Sequence, residues 1–146
     1  NTQYVAQVIQ KYTDADIFRI EPVHPYPLNH ADIEHIATRE KQNYELPQIA
    51  EKIQNFDSYT LFFVGYPNWY GDMPRILYSF FNEYDFSGKK IVPFVTSGGA
   101  GFSNSINEIK HIQPNATVIE NGLALNRELV PTAEPDIEIW LKTLGF

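Results

Sequence analysis

Gly65-Tyr-Pro-Asn-Trp-Tyr-Gly-Asp-Met-Pro74 places two large aromatics, Trp69 and Tyr70, in a loop bounded by proline and glycine. Solvent favours polar side chains in such a loop, so the rings need a reason to be there. Two uses are open: a platform on which a planar ligand stacks with offset geometry, or an aromatic tucked onto its own domain. Further on, Thr96-Ser-Gly-Gly-Ala-Gly-Phe-Ser-Asn-Ser105 carries Gly98, Gly99 and Gly101. Glycines let backbone approach a ligand closely and aim N–H groups at its polar edge, although a flexible turn needs them too. The segment has neither the Gly-Lys-Ser/Thr of a P-loop nor a GxGxxG fingerprint, so those nucleotide readings fail. Asn1 and Thr2 stand at the head of a helical pattern. Hydroxyl and amide side chains beside free helical N–H groups can hold an anion there, or Thr2 simply caps the helix.

Other chemistry is poorly supplied. His24, His30, His35 and His111 show no metal-ligand spacing and read as solvated surface histidines. No nucleophile elbow occurs, and no two carboxylates can be argued into acid–base partnership. Asn115-Ala-Thr117 matches a glycosylation sequon, but no secretion signal opens the chain, so it reads as a chance match. Cysteine is absent, which removes disulfides, thiolate metal ligation and a cysteine nucleophile, and fits a reducing, cytoplasmic home. The formal charge of −7 argues against a nucleic-acid or anionic-membrane partner, and no apolar run reaches the ~18 residues of a membrane helix.

Elements of regular spacing must position these loops. Apolar residues recur at i, i+3, i+4, i+7 in four places, each predicting a helix packed on one side. They are Val5, Val8, Ile9, Tyr12; Leu46, Ile49, Ala50, Ile53; Leu77, Phe80, Phe81, Tyr84; and Ile137, Trp140, Leu141, Leu144. Pro47, Pro74 and Pro135 fall in predicted first turns, where a missing N–H costs little. A weaker helix is expected at Ile106, Ile109 and Ile112 with Ser103 as N-cap, and a polar surface helix between His30 and Gln42. Asp16–Glu21 alternates as an edge strand does. Tyr59–Gly65 and Ile91–Val95 are continuously apolar, as strands covered on both faces must be. Thr117–Glu120, extending toward Leu125, is a fourth strand. Helices alternating with buried strands imply right-handed crossovers, a parallel sheet and helices on both faces: a three-layer, doubly wound α/β domain spanning residues 1–146. In such a sheet ligands bind beyond the carboxyl ends of the strands, which is where both loops fall.

Taken together, Gly65-Tyr-Pro-Asn-Trp-Tyr-Gly-Asp-Met-Pro74, Tyr84-Asp-Phe-Ser-Gly-Lys-Lys-Ile-Val-Pro-Phe94 and Thr96-Ser-Gly-Gly-Ala-Gly101 resemble the flavodoxin-like proteins, closest to the small bacterial flavodoxin branch. The resemblance runs in order along essentially the whole chain, and Asn1-Thr2 is similar to the end of the family's "TGNT" phosphate loop. It implies a noncovalent FMN at the C-terminal edge of the sheet. Asn1 and Thr2 would serve the phosphate. Pro67, Asn68, Trp69, Tyr70 and Gly71 would form the loop over one flavin face, with Trp69 the stacking ring. Thr96, Ser97, Gly98, Gly99, Gly101 and Phe102 would line the other side and the pyrimidine edge. It also implies a strand order 2-1-3-4-5 whose first strand, with most of the phosphate loop, is missing from this sequence, about 10–15 residues. That strand is interior, so the natural chain is expected to extend upstream, and Ile17–Ile20 to lack a direct neighbour here.

The resemblance implies a low-potential electron carrier docking weakly with redox partner proteins, as monomer or homodimer, an encounter that the acidic surface would speed. Asp72 beside the ring would then disfavour its anionic reduced form. A second expectation is an NAD(P)H-dependent FMN quinone reductase, its pocket shaped by Tyr26–Tyr44 around a small quinone-like acceptor. A third is a flavin-free interaction module. A receiver domain is a poor fit: it wants a phosphoacceptor Asp after a central strand and a Lys after the last one, whereas Gly65 follows one central strand and Thr96 another.

Overall fold

Leu61–Pro67 and Lys90–Ser97 are the two long apolar runs, and in a computed structural model that describes residues 1–146 they form the strands β1 and β2 at the centre of the molecule. They pair in parallel from Leu61 opposite Lys90 to Pro67 opposite Thr96. The other edge of β2 carries two short parallel partners. β3 (Thr117–Val118) pairs with Lys90 and Ile91, and β4 (Leu123–Asn126) pairs with Phe94 to Ser97. The predicted fourth strand is therefore one line with a break at residues 119–122, and Pro93 explains the break. The carbonyls of Ile91 and Ser97 accept from Ile119 and Arg127 on this side, so alternation turns Pro93 the same way, where it has no N–H to offer. The chain there runs close enough that a Cβ on Gly122 would lie 2.6 Å from the Pro93 carbonyl oxygen.

Five helices cover both faces: α1 (Thr2–Thr13), α2 (His30–Gln42), α3 (Arg75–Glu83), α4 (Ser105–Ile112) and α5 (Glu134–Thr143). Alternation along β2 divides the core between them. Val92 and Phe94 join Val5, Val8 and Ile9 of α1 and Ile137, Trp140 and Leu141 of α5 on one face. Ile91 and Val95 join Ile76, Leu77, Phe80 and Phe81 of α3 and Ile109 of α4 on the other. This is the parallel, three-layer α/β arrangement expected. Gly65 lets the ring of Phe94, its partner across the ladder, lie over β1: a Cβ there would stand 2.1 Å from that ring.

Three local expectations fail. Leu46–Ile53 is not a helix. Its backbone crosses residues 21–23 as an isolated antiparallel bridge, Val23 N–H donating to Gln48 O and Ala50 N–H to Glu21 O, both at 2.8 Å. Ile49 and Ile53 still reach the core, but from an extended strap, so their spacing mimics a helix. Ser103 does not cap α4; Asn104 does, with Ser103 at a φ of 49°. Asp16–Glu21 forms no strand, whereas the lack of a direct neighbour expected for Ile17–Ile20 is what the structure shows: the segment joins no ladder, and the edge of β1 facing it pairs with no strand. Tyr59 bridges the gap at one end, its hydroxyl donating to Asp16 Oδ2 at 2.5 Å.

Candidate functional site

Both loops leave the sheet at the carboxyl ends of β1 and β2, and backbone bonds give each its shape. After Pro67, Trp69 and Asp72 exchange N–H···O bonds of 2.8 and 3.2 Å around Tyr70 and Gly71, at φ 54° and 80°. Two central residues at positive φ are what a type I′ turn requires. Glycine tolerates this freely; for Tyr70 it costs about 1 kcal/mol. The Lys41 ammonium, donating to the Tyr70 carbonyl, and Gly71 N–H, donating to Asn68 Oδ1 at 2.9 Å, oppose that cost. The Tyr70 ring is exposed, whereas Trp69 is half-buried and faces a cleft.

The second loop wraps around one hydroxyl. Ser97 Oγ, buried, accepts from Gly99 N–H at 3.2 Å and Gly101 N–H at 3.0 Å. Gly99 and Gly101 have positive φ, 128° and 62°, so glycine is required by the backbone there. Asn68 ties the two loops: its Nδ2 donates to Gly101 O at 2.8 Å and to Ser103 Oγ at 2.9 Å. Ser103, expected as a cap, instead receives this tie. Phe102 turns away from the cleft, its ring against Gly122 and the α4 side of the core.

The third contribution is the start of α1. Asn1 is its N-cap, with no side-chain capping bond and no acidic residue in the first turn, which leaves the positive end of the helix free for an anion. Thr2 is not the cap. Its hydroxyl hydrogen-bonds that of buried Thr96 at 3.0 Å, fastening the helix start to the end of β2.

Asn1, Thr2, Pro67, Asn68, Trp69, Tyr70, Thr96 and Ser97 all line one cavity of about 1600 Å³. Gly71, Gly98, Gly99, Gly101 and Phe102 lie outside its wall, shaping or backing the loops. The volume exceeds the ~300–1,000 Å³ of an ordinary ligand cleft. The excess is the slot along the free edge of β1, walled by residues 14–20. Asp72 is also outside this wall: Oδ1 accepts from Met73 N–H and Oδ2 from the Tyr78 hydroxyl at 2.7 Å, so its carboxylate is engaged on the α3 side.

Three contributors were not among the residues expected to hold FMN, although Tyr26 and Glu40 fall in the Tyr26–Tyr44 stretch expected to shape a reductase pocket. Tyr26 meets Trp69 edge-on, centroids 5.5 Å apart, and its hydroxyl donates to both oxygens of Glu40, at 3.2 and 3.0 Å. Glu40 is 5% exposed. Burial, opposed by the Tyr26 hydrogen bond, raises its carboxyl above the usual range. Burial and the Glu40 charge likewise raise the Tyr26 phenol. Arg127 follows β4 at the same sheet end and lines the cavity. Deeper in, the buried Tyr66 phenol is pushed up to about 12, chiefly by burial, and shares a 2.8 Å bond with Ser105 Oγ. No group of three or more His, Cys, Asp or Glu side chains could hold a metal ion. No helix is long and apolar enough to cross a membrane.

An indole beside a crest of glycine amides and an uncapped helix start fits a flat, polar-edged ring with an anionic tail. Comparison with known proteins agrees. A family model described as flavodoxin matches residues 1–144. No curated protein matches significantly. A structure from Bacteroides eggerthii DSM 20697, provisionally described as a flavoprotein, is 30% identical with a TM-score of 0.80, over 99% of this chain and 91% of its own. One from Bacteroides uniformis ATCC 8492, described in the same way, is 24% identical with a TM-score of 0.81, over 97% and 90%. A flavoprotein from Lactobacillus acidophilus NCFM, in complex with FMN, is 18% identical with a TM-score of 0.69, over 90% and 89%. The last two show a shared fold.

Proposed function

Since the chain belongs to the flavodoxin family, we propose that it binds FMN between the Trp69 and Ser97–Gly101 loops and carries electrons at low potential between redox partner proteins. The observation that carries this reading is the tie through Asn68, which holds the indole-bearing turn and the glycine crest against each other at the end of the sheet. FMN, when bound, supplies the redox chemistry, taking up and passing on electrons. The chain supplies position and surroundings. Trp69 offers a flat apolar face that excludes water from one side of a planar ring. The first turn of α1, fastened through Thr2 to Thr96, presents N–H groups to a phosphate. The glycine loop, its Gly99 and Gly101 amides folded onto Ser97 Oγ, would back the ring's polar edge.

Titration of the purified full-length protein with FMN tests this. Binding is expected to quench flavin fluorescence, and Trp69→Ala to weaken it about 5- to 150-fold, the loss of one aromatic stack worth ~1–3 kcal/mol. No quenching by the wild-type protein refutes the reading. A second reading, an NAD(P)H-dependent quinone reductase, draws on the wall that Tyr26, His30 and Ile33 add to the same cavity. NAD(P)H oxidation with a quinone and no partner reductase would favour it over the carrier.

A further inference from the structure

Arg19, Lys52 and Arg127 are the arginine and lysine side chains lining the cavity. Two of them are engaged by acids: Arg19 Nε stands 3.1 Å from Glu21, and Lys52 Nζ 3.6 Å from Glu83. The Arg127 side chain makes no hydrogen bond or ion pair, in a protein with seven more acidic than basic residues. Its main chain is fixed, for Arg127 N–H donates to the Ser97 carbonyl at 2.8 Å and so extends β4 past the rim of the sheet. From there the guanidinium lies flat over Gly98: a Cβ at Gly98 would be 3.4 Å from Nη2, 3.6 Å from Cζ and 3.9 Å from Nε. A side chain at 98 would crowd it, and glycine leaves it room. Asp72, expected beside the ring, is turned toward Tyr78 and outside the cavity. The cleft end beyond β2 thus carries an unneutralised positive charge backed by the glycine loop.

From this placement we infer that Arg127 is a residue that discriminates between redox states: its guanidinium favours the reduced, anionic form of the bound flavin over the oxidised, neutral ring. The inference rests on the FMN reading above. Two electrons from a donor and one proton from solvent leave the reduced ring with one net negative charge at neutral to alkaline pH. A cation over the Ser97–Gly101 loop attracts that charge and is nearly indifferent to the neutral ring. Because affinity for the two states differs, the midpoint potential must rise by linkage. For a charge pair between water-like and surface-like screening, the preference is roughly tenfold. This reverses the expectation that acidic surroundings alone set the potential.

The test compares wild type, Arg127→Gln and Arg127→Lys at mildly alkaline pH. It measures dissociation constants for oxidised FMN and for riboflavin, and the two-electron midpoint by dithionite titration against a reference dye. Arg127→Gln is expected to lower the midpoint by about 30 mV, the equivalent of tenfold for a two-electron couple. Oxidised FMN affinity should stay within about twofold, and Arg127→Lys should restore most of the shift. An unmoved midpoint in Arg127→Gln overturns the inference. So does an equal loss for oxidised and reduced FMN with riboflavin unaffected, which would make Arg127 a phosphate grip. A wild-type protein that binds no flavin would instead sink the functional reading, and this inference with it.

Discussion

Asn68→Ala removes three hydrogen bonds at once, those to Gly101 O, Ser103 Oγ and Gly71 N–H, at 2.8, 2.9 and 2.9 Å. Each is worth about 0.5–1.5 kcal/mol net. In partly exposed surroundings the three together contribute about 2 kcal/mol, or roughly 30-fold in the balance between tied and untied loops. Ligand affinity falls only as the tied fraction falls. If the tied form outweighs the untied by roughly tenfold in the free protein, FMN binding weakens about fourfold. If the two are equally populated, it weakens about 15-fold. Asn68→Asp is the sharper probe. It keeps an acceptor for Gly71 but loses both donations and sets a carboxylate against the Gly101 carbonyl, so it should bind no better than the alanine variant. Its deficit should shrink on acidification, once the carboxyl carries a proton to donate. Flavin fluorescence quenching and urea unfolding are measured on the same preparations. A dissociation constant within twofold of wild type for Asn68→Ala, alongside a lowered urea midpoint, would show that the tie serves the fold and not the site.

Three further outcomes follow from the packing. Gly65→Ala puts a methyl 2.1 Å from the Phe94 ring, and should cost about 1–3 kcal/mol of overpacking; a loss under ~0.5 kcal/mol in urea would mean the ring moves freely. Gln113→Ala strips the carbonyls of Phe81 and Tyr84 and the N–H of Phe86 of a buried partner, and about 3 kcal/mol should be lost; an unchanged thermal midpoint would contradict it. Glu40 titrates with its folded carboxyl raised, burial being the main cause. The folded state therefore holds this proton more tightly, and stability declines as pH climbs from the ordinary glutamate range through the folded value. Glu40→Gln should be more stable than wild type at neutral pH, the gap closing below pH ~4; a gap independent of pH would refute the assignment.

What the sequence made legible was the sheet and its exits. Continuous apolar runs mark strands buried on both faces, and the residues after them at 67–71 and 96–101 are what the structure brings together. Periodicity misled at Leu46–Ile53. There the backbone finds its partners in residues 21–23, more than twenty positions away, and no local pattern records such a bridge. Alternation alone also overstated Asp16–Glu21, because a ladder needs a neighbour and the edge of β1 facing it pairs with no strand. Tyr26 opens the Tyr26–Tyr44 stretch expected to shape a pocket, but its place between Pro25 and Pro27 signals a turn and says nothing of an aromatic contact to Trp69. Arg127 was within reach of the rule that ligands meet residues just past a strand. It was missed because the break at 119–122 blurred where the last strand ends.

β2 is the strand from which both cores are hung, Val92 and Phe94 on one side, Ile91 and Val95 on the other. No part of it can detach without opening both faces, so its amides belong to the last segment to surrender protons to deuterated solvent. Ser97 is where that permanence ends, one residue before the glycines. The crest over the cleft can breathe on its own short tether while its anchorage stays shut, and mobility at the rim need not be drawn from the stability of the whole.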